Sequence, residues 1–134
     1  MSIDKKHELT CHQSEITSIK WVTKDNDDIL FSVDINSLLY YHSYDNNIKG
    51  WSSKCIKLFS IPIQCMEIIQ GEELYILVGG KDGSVILLNF SKKEVHKSYK
   101  LPYEISDIKT DLDKYAAFRF GNGQAMVIPL TTLL

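Results

Sequence analysis

Residues 74–90 read LYILVGGKDGSVILLNF. Two short apolar runs flank Asp82-Gly83. Runs of this length, rich in large aliphatic and β-branched residues and bounded by Gly, Asp or Asn, read as strands. Asp-Gly between them predicts a tight type I′ hairpin, because both residues tolerate positive φ. YAAFRFG and QAMVIPL, on either side of Asn122-Gly123, read the same way. Nearer the N-terminus, runs at 29–33 and 38–41 flank Ile35-Asn36, which takes the equivalent place, with Asp34 one position earlier.

Working outward, each hairpin is preceded by another strand with a fixed apolar spacing. Ile16, Ile19 and Trp21 stand at relative positions 0, +3 and +5; Ile63, Met66 and Ile68 repeat this 47 residues later, and Ile105, Ile108 and Thr110 after a further 42. Polar turns separate these strands from the hairpins: the acidic cluster at 25–28, Gly71, and residues 111–114. Residues 54–61 and 94–101 supply a fourth strand to the first two units. The third has only TTLL after Leu130, whereas a strand-like piece at 7–10 stands before the first unit. A period of about 40–50 residues with several short strands per unit is the signature of propeller blades. The piece at 7–10 then reads as the outer edge of some other blade. Residues 44–54 read as an extended loop between third and fourth strands. Trp51 within it reads either as a partner anchor or as a side chain folded over the blade edge.

The chain has 134 residues, enough for one domain or part of one, and its 44% hydrophobic content suffices for a core. A net charge of -2 from 15 basic and 17 acidic residues gives no electrostatic case for direct nucleic-acid binding. No run approaches the roughly 18 apolar residues of a membrane-spanning helix, and the N-terminus carries no signal-peptide pattern. Cys11, Cys55 and Cys65 are odd in number and lack CxxC spacing. They read as reduced thiols in an intracellular protein, cytoplasmic or nuclear.

Chemistry-bearing patterns are weak. Residues 78–83, VGGKDG, lack the order of a phosphate-binding loop and read as hairpin. His7, His12, His42 and His96 show no paired metal-ligand spacing. No GxSxG elbow supports a Ser/His/Asp site. Adjacent Asp27-Asp28 and Glu72-Glu73 diverge on extended chain, unlike the convergent carboxylates of acid–base catalysis. No catalytic residue, cofactor or metal ligand is expected.

Taken together, these residues resemble the WD40-repeat family, over residues 7–130. Cys11-His12 lies where the family has Gly-His, and Ile16, Ile19 and Trp21 follow as its first strand. Gly79, Gly80, Asp82 and Gly83 fit the second unit, and Asn122-Gly123 the third. Tyr41-His42, Leu88-Asn89 and Ile128-Pro129 stand in place of Trp-Asp. The family's His-Ser-Asp-Trp hydrogen-bond tetrad is complete in no unit.

The resemblance implies an all-β chain of three four-stranded antiparallel blades, at about 12–61, 62–101 and 102–134, with 7–10 as a closing strand. Propellers close with about four to eight blades, so the ring is incomplete without more. The chain is then part of a longer propeller, one half of a six-bladed homodimer, or completed by a different protein. The implied function is a non-enzymatic protein–protein scaffold, a subunit of a multiprotein complex. The rival is a small β-barrel that binds a ligand or performs catalysis. In a propeller the loops joining fourth to first and second to third strands share one face. That face would show His12, Gln13, Glu15, Asp34, Asn36, Lys81, Asp82 and Asn122 to a partner.

Overall fold

The computed structural model describes residues 8–111 and 114–134. Their strands fall into three separate antiparallel sheets, each built from consecutive segments. The first blade holds β1 (Ile16–Lys24), β2 (Asp27–Asp34), β3 (Leu38–Asp45) and β4 (Gly50–Leu58). The second holds β5 (Ile63–Gln70), β6 (Leu74–Gly80), β7 (Ser84–Asn89) and β8 (Glu94–Lys100). The third holds β9 (Ile105–Asp111), β10 (Tyr115–Phe120) and β11 (Ala125–Pro129). No strand pairs between units among the described residues, which removes the barrel alternative.

Side chains alternate across a strand, and this explains why 74–90 is so uniformly apolar. β6 is buried on both faces. Ile76 and Val78 join Phe31, Val33 and Leu39 of the first blade in one core. Leu77, with Val85 and Leu87 of β7, joins Ile105, Ile108 and Phe118 of the third blade in the other. A strand with no solvent face has no reason to alternate. Gly79 sits where the third blade comes closest: a Cβ there would lie 2.7 Å from Ile105 Cγ2 and 2.9 Å from Cys65 Sγ.

The hairpins after β2, β6 and β10 share one geometry, and it corrects the type I′ expectation. Ser37 N–H donates to Asp34 O, Gly83 N–H to Gly80 O, and Gly123 N–H to Phe120 O. Only the fourth residue of each turn is left-handed: Ser37 at φ 67°, Gly83 at 88° and Gly123 at 89°. Such a three-residue loop is a type I turn followed by a left-handed residue. Asp34, Asp82 and Asn122 brace it through Oδ1, accepting from the amides of Asn36, Ser84 and Gln124 respectively. A two-residue turn with both φ positive occurs instead at Asp25 (52°) and Asn26 (66°), between β1 and β2.

This alignment moves one assignment. Counting from Ser37, Gly83 and Gly123, it is His42 that matches Leu88 and Ile128, and Tyr41 lies one residue early. The loop expected at 44–54 is also shorter. β3 continues to Asp45 and β4 begins at Gly50, with Tyr44 directly opposite Trp51.

The third blade has three strands, as the sequence foresaw. At Leu130 the chain leaves the sheet as a single helical turn, α1 (Leu130–Leu133). Leu130 and Leu133 bury themselves beside Val85 and Phe118, and the Tyr99 hydroxyl donates to Leu133 O at 2.7 Å. Residues 8–10 belong to no strand of this structure; His7 lies outside the described residues. Their pairing as a closing strand would be with a blade other than these three.

Candidate functional site

The sheets set the linkers between blades against the hairpin turns, so both loop classes share one rim. The same backbone bond recurs in every blade: Ile35 N–H donates to Glu15 O (2.8 Å), Lys81 N–H to Pro62 O (3.0 Å) and Gly121 N–H to Glu104 O (3.0 Å). On this rim Gln13, Glu15, Asn36, Lys81, Asp82 and Asn122 are exposed. Lys100 pairs with Asp82 at 3.1 Å, and Asn36 Nδ2 donates to Ser14 Oγ at 2.5 Å. The other two residues of the expected face, His12 and Asp34, have nearly inaccessible side chains. They serve the blade from within.

His12 does have an aspartate partner. Its Nδ1 lies 2.8 Å from Asp34 Oδ2 and its Nε2 lies 2.6 Å from Ser32 Oγ. Ser32 Oγ lies 2.7 Å from His42 Nε2, and His42 Nδ1 lies 2.7 Å from Ser53 Oγ. The chain therefore runs Asp34–His12–Ser32–His42–Ser53, with His42 where the tetrad has tryptophan. With both imidazoles neutral, the donors have one order. His12 Nδ1–H donates to the carboxylate, and Ser32 O–H to His12 Nε2. His42 Nε2–H donates to Ser32, and Ser53 O–H to His42 Nδ1. Burial, then the neighbouring His12, holds His42 below the ordinary histidine value. Burial pushes the Asp34 carboxyl up, but hydrogen bonds from His12 and from the Leu38 and Asn36 amides outweigh it and leave its pKa lowered.

Asp34, His12 and Ser32 have the connectivity of a hydrolase triad. Ser32 is 2% exposed, and its oxygen is also held by His42, so no substrate carbonyl can reach it. A cation among Cys11, His12 and His42, whose ligand atoms lie within 4.8 Å of one another, would have to displace hydrogen bonds at ring nitrogens that are all engaged. Burial raises the Cys11 thiol pKa, which also opposes thiolate chemistry. The arrangement ties the N-terminal segment to the first blade. The equivalent positions elsewhere are apolar: Phe59, Val78 and Leu88 in the second blade, Leu101, Phe118 and Ile128 in the third.

An unclosed set of blades exposes an apolar face at each end, and the residues that sequence reasoning did not assign to one are those on the outer face of the first blade. Ile19 is 56% exposed, whereas its repeat equivalents Met66 and Ile108 are 1% and 0% exposed. Ile16 is exposed where Ile63 and Ile105 are buried. Trp21 is 60% exposed, and its ring meets that of Trp51 edge-on at 5.9 Å; Trp51 meets Tyr44 likewise at 5.9 Å. Trp51 is thus a half-buried strand residue on this face. The signal was present in the sequence, since the repeat spacing that buries Met66 and Ile108 applies equally to Ile19. Near the other end of this blade, Tyr41, Phe90 and Trp51 line an open cleft of about 640 Å³ with Asp27, Asp28 and Lys93. Lys93 Nζ already lies over the Phe90 ring, 3.6 Å from its centre.

No family model matches this sequence, and no curated protein matches it. Among solved structures, the β-propeller domain of Cps50 (Swd1) from Myceliophteria thermophila superposes with a TM-score of 0.65 at 15% identity. The match covers 94% of this chain and 39% of that one, so this chain spans well under half the length of the propeller domain it resembles. The fold is that of a β-propeller, represented by three adjacent blades of an unclosed ring.

Proposed function

We propose that this chain is a non-enzymatic protein-interaction element, a subunit of a larger assembly whose remaining blades cover its open ends. One observation carries this reading. Positions that the repeat buries in the second and third blades are solvent-exposed and apolar in the first. Fully burying such a side chain is worth about 1.5–3 kcal/mol, and an apolar strip of this kind marks a contact surface. Another sheet presents the kind of flat apolar complement that the second blade presents to the first. Completion by a second copy or by another protein's blades both satisfy it. The rim, with Gln13, Glu15, Asn36, Lys81, Asp82 and Asn122, is the second surface, suited to a polar peptide or loop. Three unpaired thiols fit a reducing compartment, cytoplasm or nucleus.

The test is isolation of the tagged protein from its own cells, with the stoichiometry of what accompanies it. A defined protein complex that is lost on Trp21→Glu and kept by a Lys114→Ala control is the expected result. A chain recovered alone and monomeric, or a complex indifferent to Trp21, would refute the reading.

A further inference from the structure

The proposal above leaves open what covers the first blade, and three further observations narrow it. The first is linker length. β4 ends at Leu58 and β5 begins at Ile63; β8 ends at Lys100 and β9 begins at Ile105. Each fourth strand thus ends four residues before the next blade. β1 begins at Ile16, which makes 12–15 such a linker and places the end of an outer strand at Cys11. Residues 8–11, which form no strand within this chain, therefore stand where the repeat places the end of an outer strand.

The second is a vacancy of matching shape. In the first two blades the left-handed turn residue receives the incoming linker: Phe59 N–H donates to Ser37 O (3.0 Å) and Leu101 N–H to Gly83 O (2.8 Å). The backbone of Leu101 packs so tightly that a Cβ on Gly83 would meet Leu101 O. Gly123 has the same φ, yet nothing lies within 4 Å of its Cβ position. Among the described residues nothing pairs with the free edge of β11. Among the described residues the third blade has neither an outer strand on β11 nor a linker on Gly123, and the repeat-equivalent linker residue is His12.

The third is relief. The outer face of the third blade carries a shallow depression of about 320 Å³, lined by Lys109, Tyr115, Ala117 and Val127. Ala117 gives it a low floor. The outer face of the first blade projects Trp21 and Ile19.

We infer that the partner is a second copy of this chain, docked head to tail, so that residues 8–11 of each copy add to β11 of the other and Trp21 enters the depression over Ala117. This rests on the interaction reading above and specifies its partner. The arrangement is a closed two-fold ring of six blades, each with four strands, and no blade face is left to recruit further chains.

Light scattering of the purified chain, whose monomer is 15.4 kDa, is expected to give twice that mass, about 31 kDa. Trp21→Glu and Val127→Arg should each give folded monomers, judged by unchanged circular dichroism. Mixing these two variants should restore the double mass, because a head-to-tail pair regains one wild-type contact. Gly123→Ala, which fills the linker's seat, should also weaken association by at least tenfold. A wild-type monomer overturns the inference; so does a Val127→Arg protein that remains dimeric, which would mean first blades meeting face to face. If the wild type is monomeric but Trp21→Glu still abolishes a cellular complex, the second copy is excluded while the interaction reading stands.

Discussion

Two glycines in identical backbone conformations should respond very differently to alanine. Gly83 and Gly123 both close a hairpin with φ near 90° (88° and 89°). An L-residue in the left-handed region costs about 1–2 kcal/mol, and both substitutions incur this. At Gly123 nothing else lies within 4 Å of the new Cβ, so the cost within one chain stops there. At Gly83 the Cβ would sit 2.2 Å from Leu101 O and 3.0 Å from Tyr103 O. Both are backbone atoms of the linker between the second and third blades. Relief requires that linker to move by about 1 Å, since carbon–oxygen contacts settle near 3.3 Å or beyond. The movement loses the Leu101 N–H bond to Gly83 O, worth about 0.5–1.5 kcal/mol, and strains the packing by about 1–3 kcal/mol. Gly83→Ala should therefore cost about 2.5–6.5 kcal/mol against about 1–2 kcal/mol for Gly123→Ala. Urea unfolding followed by circular dichroism measures this, in a Trp21→Glu background where chains stay apart. Equal losses for the two variants would refute the claim that the linker seats on Gly83 and leaves Gly123 empty.

Other consequences concern the relay and the core. Ser32→Ala strands His12 Nε2 and His42 Nε2 and should cost about 2–4 kcal/mol in thermal or chemical unfolding. Replacing His12, Ser32 and His42 together by Phe, Val and Leu, the set found in the second blade, should recover part of that loss, because polar groups removed together leave no stranded ring nitrogen, while Asp34 keeps only the Asn36 and Leu38 amides. The contribution of His42 to stability should be level above pH 6.5, the ordinary histidine value. It should fall by at most about 1.4 kcal/mol per pH unit below that. There the unfolded chain protonates His42 before the folded one does, until the lowered folded pKa is passed; a His42→Leu variant should lack this phase. Asp34, also lowered, adds a further loss below about pH 3.8 that Asp34→Asn removes. Phe118→Ala, in the seam between second and third blades, should cost about 3–5 kcal/mol.

The strand order was legible because turn chemistry and apolar runs repeat with a common period. Asp82-Gly83 and Asn122-Gly123 located two hairpins, though not their type, because loop length rather than the dipeptide decides which residues go left-handed. The first hairpin was misread by one residue for a physical reason. Its left-handed position is Ser37, which carries no glycine signal, so Ile35-Asn36 was aligned with Asp82-Gly83. That slip put Tyr41 in the place of His42 and hid the relay, whose members 12, 34, 32, 42 and 53 come from four different segments. A one-residue shift moves every side chain to the opposite face. Trp51 was legible as a polar-loop residue only because 44–54 contains Asn46, Asn47 and Gly50. The strand there is held by the Tyr44–Trp51 pair, which single-segment reading does not see. The loops carrying the expected face share one rim, but which of their residues are buried could not be read. His12 and Asp34 look as polar in the sequence as Lys81 and Asp82.

The claim on which the rest depends is that the outer face of the first blade is an interblade interface whose blade comes from elsewhere. Hydroxyl-radical footprinting of the assembly isolated from cells tests it at Ile19 and Trp21. Protection matching that of Met66 and Ile108 is the predicted result. Free labelling of Ile19 and Trp21, with Met66 and Ile108 protected, would contradict it.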